Sequence, residues 1–269
     1  MENKTDLRVL SLGAGVQSST VALMIEYGEL PMVDCAIFAD TQNEPKYVYD
    51  WLQYLKNRVS YPVHIVSKGN LKEDMLSSKY KFLAIPTYTI NNKTGKKGFT
   101  MRQCTNDYKI QPIRQKIRQL CNVAKGKHFP KDKYVEQWIG ISTDEAQRMK
   151  PARDKYILNK YPLIELNMSR QDCLNYLKKN NVPLPEKSAC IVCPYHNDAY
   201  WHFMKTERQD EFAEAVAFDK KIRLGSRSIK DKVYLHRKCI PLDEVEFNKK
   251  ETDKQLDMFN NECEGMCGV

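Results

Sequence analysis

The sequence predicts an α/β protein built on a doubly wound, mainly parallel sheet, with a small cysteine-bearing helical region C-terminal to it. Three observations carry that reading. Short apolar runs alternate with helix-like patterns over the first 70 residues, as strands linked by crossover helices do. The first of these runs feeds straight into a glycine-rich turn. The chain has 269 residues, 42% hydrophobic and 29% charged, which is ordinary for a globular protein and long enough to bury a sizeable core.

The elements follow in order. Residues 7–12 form a strand, and residues 18–27 a helix with Val21, Ala22, Leu23, Met24 and Ile25 available for burial. A second strand over 35–39 ends at Asp40 and Thr41. Val48, Trp51, Leu52 and Leu55 fall at i, i+3, i+4 and i+7, a single helical stripe. Residues 63–66 supply a third strand. Residues 77–100 are basic and turn-rich, with a turn signal over 91–95, and read equally as a loop over a site or a surface hairpin. From Lys109 a helix pattern returns with Ile110, Ile113, Ile117 and Leu120 on one face, and residues 135–141 form another strand. Ser169 caps a helix running to about Asn180. Beyond Pro185 short helices follow, and from Asp243 a polar tail. This divides the chain into a nucleotide-binding domain (1–185), a helical region (186–242) and the tail (243–269).

Forty-three basic residues stand against 34 acidic ones, a formal charge of +9, which suits an anionic partner such as a nucleotide or nucleic acid. No stretch approaches eighteen consecutive apolar residues and the start lacks an apolar signal core, so no membrane association is expected and the location expected is cytoplasmic. There, nine cysteines point to metal ligands or catalytic thiols rather than disulfides.

The glycine-rich turn is Gly13-Ala14-Gly15-Val16-Gln17-Ser18-Ser19-Thr20. Glycines let the backbone approach an anion, and the helix that follows offers unpaired N–H groups and a positive dipole end. The pattern is neither the Walker loop nor the dinucleotide fingerprint. A tight turn with a serine cap is the plain alternative.

The segment resembles the modified phosphate loop (PP-loop) of the adenine nucleotide alpha hydrolase superfamily, which includes ATP pyrophosphatases and phosphoadenylyl sulfate (PAPS) reductases. Against the pyrophosphatase pattern S-G-G-x-D-S, Gly13 to Ser18 occupy the six places. Gln17 stands where the ATP-cleaving branch has an acid, and Gly-x-Gln is more similar to the reductase branch. Residues 38–45, with Asp40 and Thr41, resemble the reductases' D-T-G-x-x-x-P-E-T segment. Arg102-Gln103-Cys104 followed by Lys109-Ile110-Gln111-Pro112 resembles their cysteine-to-K-x-x-P element. Residues 139–145 with Arg148 resemble G-[IL]-R-x-x-[DE]-[ES]-x-x-R, with Ser142 in place of the arginine. Tyr161-Pro162-Leu163-Ile164 and Val182-Pro183 match the closing pattern. The resemblance covers residues 7 to 195. It implies an adenine nucleotide, ATP or adenylyl sulfate, held by Gly13, Gly15, Gln17, Ser18, Ser19, Asp40, Thr41, Lys109, Gly140 and Arg148.

Cys190-Ile191-Val192-Cys193 is a C-x-x-C whose thiolates can reach one metal centre. Adenylyl sulfate reductases that carry a 4Fe–4S cluster pair an adjacent Cys-Cys with a distant C-x-x-C. Here Gln103-Cys104 takes the place of the adjacent pair, which leaves Cys104, Cys190 and Cys193 as metal ligands. Three ligands leave one iron open, as in iron–sulfur tRNA-thiolating relatives, where it can hold sulfur. Zinc completed by Cys239 or His196 is the alternative, and a metal-free C-x-x-C a third.

The tail carries Cys263 and Cys267. PAPS reductases hold a catalytic cysteine in a C-terminal E-C-G segment, which Cys263 resembles although Glu264 interrupts it. Cys267 would be the resolving thiol, and a reductant such as a thioredoxin the partner. Cys35, Cys121 and Cys173 read as core residues, and Cys239 has no assigned role. Lys93, Lys96, Lys97, Arg102, Lys109, Arg114, Lys116 and Arg118 form either a polyanion-binding face or a solvated surface.

The resemblance thus implies an oxidoreductase of sulfur metabolism, similar to PAPS and adenylyl sulfate reductases, with an iron–sulfur cluster. The alternatives are an ATP-dependent sulfurtransferase that thiolates a tRNA or DNA base, and a nucleotide-binding protein without activity.

Overall fold

A computed structural model describes residues 5–77, 84–91, 93–225, 229 and 231–247. Strand β1 (Thr5–Ser11) passes through the glycine turn into α1 (Val16–Glu26), followed by β2 (Cys35–Asp40), α2 (Lys46–Lys56), β3 (Val63–Ser67) and the short α3 (Leu71–Leu76). Two short strands, β4 (Tyr88–Ile90) and β5 (Lys97–Phe99), lead to a π-helix (Thr105–Ile110) continuous with α4 (Gln111–Leu120). Then come β6 (Tyr134–Ile139), a 3-10 segment (Thr143–Arg148), β7 (Ile157–Lys160), α5 (Pro162–Glu165) and α6 (Arg170–Lys179). The C-terminal part holds α7 (Asp198–Glu207), α8 (Gln209–Ile222), β8 (Lys232–Tyr234) and a last 3-10 turn (Leu242–Glu244). Cys263 and Cys267 lie outside the described residues.

The central sheet has the order β3-β2-β1-β6-β7 with every neighbouring pair parallel. Alternate side chains along each strand face opposite ways, and both faces are covered. Leu10, Ala36, Phe38 and Trp138 pack with α1, α2 and α6, while Val9, Cys35, Ile37 and Val135 pack with Ile113 and Ile117 of α4. The sheet is therefore doubly wound, as the sequence predicts. Burial on both faces also explains why the strands read as continuous apolar runs.

The chain winds from β1 out to β3 and returns past β1 to β6. Its direction reverses between β1 and β6, and the crevice beyond their carboxyl ends is where ligands of such sheets bind. The glycine turn leaves β1 there, and residues 140–148 leave β6 there.

Helix α1 is buried from Val16 to Ile25 and so shows no amphipathic stripe. The stripe of α2 buries Val48, Trp51, Leu52 and Leu55. Ser169 caps α6 in a reciprocal capping box with Asp172. The segment over 77–100 resolves as a hairpin in its described part: β4 pairs antiparallel with β5, and β8 adds to β4's other edge. The Asn91 side chain accepts the N–H groups of Lys93 and Thr94 and closes the turn (3.0 and 2.9 Å).

A second core joins Trp201, Phe218 and Val233 of the C-terminal region to Leu71, Ile85 and Tyr108 of the preceding chain. Asp219 ties it together: its carboxylate accepts the N–H groups of Leu235 (2.8 Å) and Leu242 (3.1 Å) and pairs with Arg223. Among the described residues no helix is long and apolar enough to cross a membrane.

Candidate functional site

The glycine turn is held from inside the protein. The Gly13 N–H donates to Ser18 Oγ (3.2 Å), and Ser188 Oγ donates to the Gly13 carbonyl (2.7 Å). Ser19 Oγ accepts the Trp51 indole N–H (2.8 Å), and Thr20 Oγ1 donates to the Val16 carbonyl (2.9 Å). The hydroxyls thus brace the loop. Helix α1 starts on Gly15 with no side-chain cap, so the first-turn N–H groups and the helix dipole are what the loop offers an anion. Ala14 adopts φ 57°, the left-handed region that favours glycine.

The segment after β6 closes over this loop. Gly140 is buried at its start. Gln17, fully buried, points its Nε2 at Glu145 Oε2 (3.1 Å) and Ser142 Oγ (3.4 Å), and Glu145 also pairs with Arg148. Gln17 Oε1 is buried without a hydrogen-bond partner. Gln17, Ser142, Glu145 and Arg148 thus meet at the switch point, although more than a hundred residues separate Gln17 from the rest. Glu145 is a functional candidate that lies within the segment over 139–145 and has no role assigned from sequence. Its carboxylate stands beside the amide that occupies the acidic position of the pyrophosphatase pattern.

On the β2 side, Asp40 Oδ1 accepts the Gln42 N–H (2.7 Å) and the Tyr49 hydroxyl (2.9 Å). Burial, and then the bond to Asp40, push the Tyr49 phenol up. Thr41, next along the chain, turns inward. Its hydroxyl donates to Glu44 Oε1 (3.2 Å) and lies 3.3 Å from Cys190 Sγ, which itself donates to Glu44 Oε1 (3.4 Å). Lys109 Nζ faces the same carboxylate at 3.3 Å, both side chains being almost wholly buried. Lys109 therefore stands with Glu44 and Cys190. Glu44 lies in the segment over 38–45 but has no role assigned from sequence, because its partners Lys109 and Cys190 come from distant parts of the chain.

Cys104, Cys190 and Cys193 all line one small cavity of about 20 Å³, together with Thr41, Arg102 and Lys109. Cys104 caps the π-helix, its N–H on the Ala84 carbonyl (2.8 Å). The C-x-x-C turn is fixed by the Cys193 N–H to the Cys190 carbonyl (3.0 Å) and by the Ile191 N–H to Asn43 (2.9 Å). Among the described residues no three Cys, His, Asp or Glu side chains converge closely enough to hold a single metal ion.

A cubane cluster makes a different demand, because each thiolate binds a separate iron and the thiols must surround a volume. Cys104, Cys190 and Cys193 have the donor chemistry for that group, and the space they enclose would have to widen to admit it. Arg102 lines the same cavity, whereas the Lys109 cation there is already matched by the Glu44 carboxylate that Cys190 also meets. The alternative fourth ligands have other partners: Cys239 Sγ donates to the Thr89 and Arg237 carbonyls (3.7 Å each), and His196 Nε2 meets the Cys190 carbonyl (2.9 Å). Burial, more than the nearby Lys187, holds His196 well below the usual histidine range, so its ring is neutral.

The basic run over 93–118 does not form one face. Lys109 is buried with Glu44, Arg114 pairs with Asp154, and Arg118 donates to the Ala124 and Lys127 carbonyls. Lys93, Lys96 and Lys97 are exposed on the β4–β5 hairpin.

No protein-family model matches the chain, and no curated protein does. Among solved structures it is similar to the phosphoadenylyl-sulfate (PAPS) reductase of Candida auris, determined as a phosphate complex, at 17% identity with a TM-score of 0.43, over 68% of this chain and 77% of that one.

Proposed function

We propose that this protein is an adenine-nucleotide-dependent enzyme of sulfur chemistry. The observation that carries this reading is the 2.7 Å bond from Ser188 to the Gly13 carbonyl. It fastens the C-x-x-C segment directly onto the candidate phosphate loop, so nucleotide and thiols share one strand edge. The backbone N–H groups at the start of α1 bind phosphate, Gly140 and Arg148 flank it, and Asp40 and Thr41 border the nucleotide at the end of β2. Cys104, Cys190 and Cys193 would hold an iron–sulfur cluster, which would supply a redox-active or sulfur-binding centre beside the nucleotide.

In the reductase reading the substrate is an adenylyl sulfate. The Cys263 thiolate attacks its sulfur, the S–O bond to the nucleotide breaks, and the nucleotide leaves with its phosphate intact. Attack by Cys267 or a thioredoxin-like thiol on the resulting S-sulfocysteine releases sulfite and forms a disulfide, whose two electrons a thiol reductant restores.

One observation favours a second reading. Glu145 stands 3.1 Å from Gln17, so a carboxylate is retained at the loop where ATP-cleaving relatives have one. In that reading ATP adenylates a carbonyl oxygen of a tRNA or DNA base and pyrophosphate leaves. Hydrosulfide from a sulfide donor then attacks the activated carbon, the C–S bond forms as the C–O bond breaks, and AMP leaves with the oxygen, with no net redox change.

Anaerobically purified full-length protein assayed for iron and sulfide, then for products, separates these readings. Sulfite from an adenylyl sulfate supports the first, and pyrophosphate release from ATP that requires nucleic acid supports the second. Protein that binds no adenine nucleotide defeats both.

A further inference from the structure

The small sheet β5-β4-β8 has one face turned to the second core and one turned away from it. Residues directly opposite in an antiparallel ladder share a face, as do residues two apart on a strand. Thr89, Gly98 and Val233 therefore share the inner face, where Val233 is fully buried. The outer face presents two parallel rows: Phe99, Tyr88 and Tyr234, then Lys97, Ile90 and Lys232. An aromatic row thus runs beside a row ending in two exposed lysines. Tyr234 lies beneath the Arg223 guanidinium (4.4 Å to the ring centre), whereas Phe99 is 43% exposed.

The aromatic row opens into a cavity of about 360 Å³ between the sheet and the turn over 194–197. Phe99 is tilted against Tyr88 (4.6 Å between ring centres) and meets Tyr195 edge-on (5.5 Å). Arg102 sits over Tyr195 at 5.2 Å. Arg237, also on the cavity wall, donates to Asp198 (3.1 Å) while its side chain stays 43% exposed. Pro194 and Tyr195 line both this cavity and the cysteine cavity.

We infer that this cavity binds an unpaired base of a single-stranded nucleic acid, stacked on Phe99, with hairpin lysines and Arg237 on the flanking phosphates. The chemistry matches on both counts. Any base offers a π-face to an exposed ring set among other aromatics, and a strand's phosphates match cations one strand-row away. A duplex keeps its bases stacked inside and gains only the electrostatic part. The +9 charge of the chain exceeds what one nucleotide requires and is complementary to a polyanion. The inference rests on the proposed function only for its consequence, that the base is delivered to a wall shared with the cysteine cavity; binding itself is independent of that reading.

The test is fluorescence anisotropy with labelled single-stranded RNA and DNA 12-mers, the corresponding duplexes and free nucleoside monophosphates, using the full-length protein. Single strands should bind, with RNA and DNA arms showing which sugar is preferred, and duplexes should bind at least about ten-fold more weakly. Phe99→Ala should weaken single-strand binding about ten-fold, and Phe99→Trp should restore it. Because Phe99 is exposed, the Ala variant should melt as the parent does. Lys97→Gln should lower the slope of log K against log salt by about one. Equal affinity for duplex and single strand, indifference to Phe99→Ala, or binding of monophosphates as tight as of 12-mers would each overturn the inference. An outcome with Phe99-dependent strand binding but no nucleotide-dependent sulfur chemistry sinks the proposed function and leaves this inference standing. The reverse outcome does the opposite.

Discussion

Gln17 presents its amide to the Glu145 carboxylate across 3.1 Å, in a site where Gln17 itself is completely buried. The amide is thereby matched to a charge that Arg148 already shares. Gln17→Glu would set two carboxylates face to face. Desolvation and the like charge would raise the new group's pKa above its unfolded value near 4.3. The variant's stability is then fully present below that value and is lost as pH rises. Thermal melts should show Gln17→Glu near parental at pH 4.5 and lower by about 1–3 kcal/mol at pH 8; an equal deficit at both pH values would contradict the pairing.

Ser188 links the candidate phosphate loop to the cysteine segment by one hydrogen bond. Ser188→Ala should cost about 1 kcal/mol of stability, since it leaves the Gly13 carbonyl without that donor. It should also loosen the loop and weaken AMP or ATP binding. Calorimetric titration checks this, and unchanged nucleotide affinity would mean that the bond braces the fold alone.

Most of the central sheet was legible because burial on both faces writes long apolar runs and α2 writes a clean 3.6-residue stripe. Strand β7 was not. As an edge strand it buries only Ile157, and Ile-Leu-Asn-Lys carries too little alternation to announce itself. The helix expected from Lys109 begins at Thr105, because its first turn is a π-helix carrying Asn106 and Asp107 where an apolar stripe would be sought. At the site, Cys104, Cys190 and Cys193 were legible as motifs. The role of Glu44 was not, because nothing local marks a glutamate that meets Lys109 and Cys190 from distant parts of the chain. The aromatic row of the small sheet needed the pairing of β4 with both β5 and β8, which no period within one strand reveals.

His236 is buried with its Nε2 3.1 Å from Asp198. Burial lowers its pKa from 6.5, more than Asp198 raises it, so the folded protein holds it neutral. The unfolded chain binds the extra proton below pH 6.5, so this stability is present above that value and is lost as pH falls towards the lowered pKa. The loss can reach about 1.4 kcal/mol per pH unit. Urea midpoints at pH 7.5 and 5.5 should diverge in the parent and converge in His236→Gln. A parent indifferent to pH over that range would refute the assignment.

Ala14 holds a left-handed backbone with φ 57° at the second position of the glycine turn. Ala14→Gly removes a steric cost of about 1 kcal/mol, offset in part by the greater freedom of glycine in the unfolded chain. A small rise in melting temperature is expected, with nucleotide affinity kept or improved. A variant that melts lower would place the strain elsewhere.

Lys109 and Glu44 form an ion pair at 3.3 Å with side-chain exposures of 6% and 1%. Removing one partner leaves the other charge buried beside the cysteine cavity. Lys109→Met and Glu44→Gln should therefore each destabilise by about 3–5 kcal/mol. The double variant strands no charge and should lose less than the two singles combined, with a coupling of about 2 kcal/mol or more. Glu44 Oε1 also accepts from Thr41 and Cys190, and the amide oxygen introduced by Glu44→Gln can keep accepting both, so that variant isolates the lost charge. Urea denaturation of the four proteins measures all of this. Strict additivity would mean that Lys109 and Glu44 act separately, with the lysine left to serve the nucleotide.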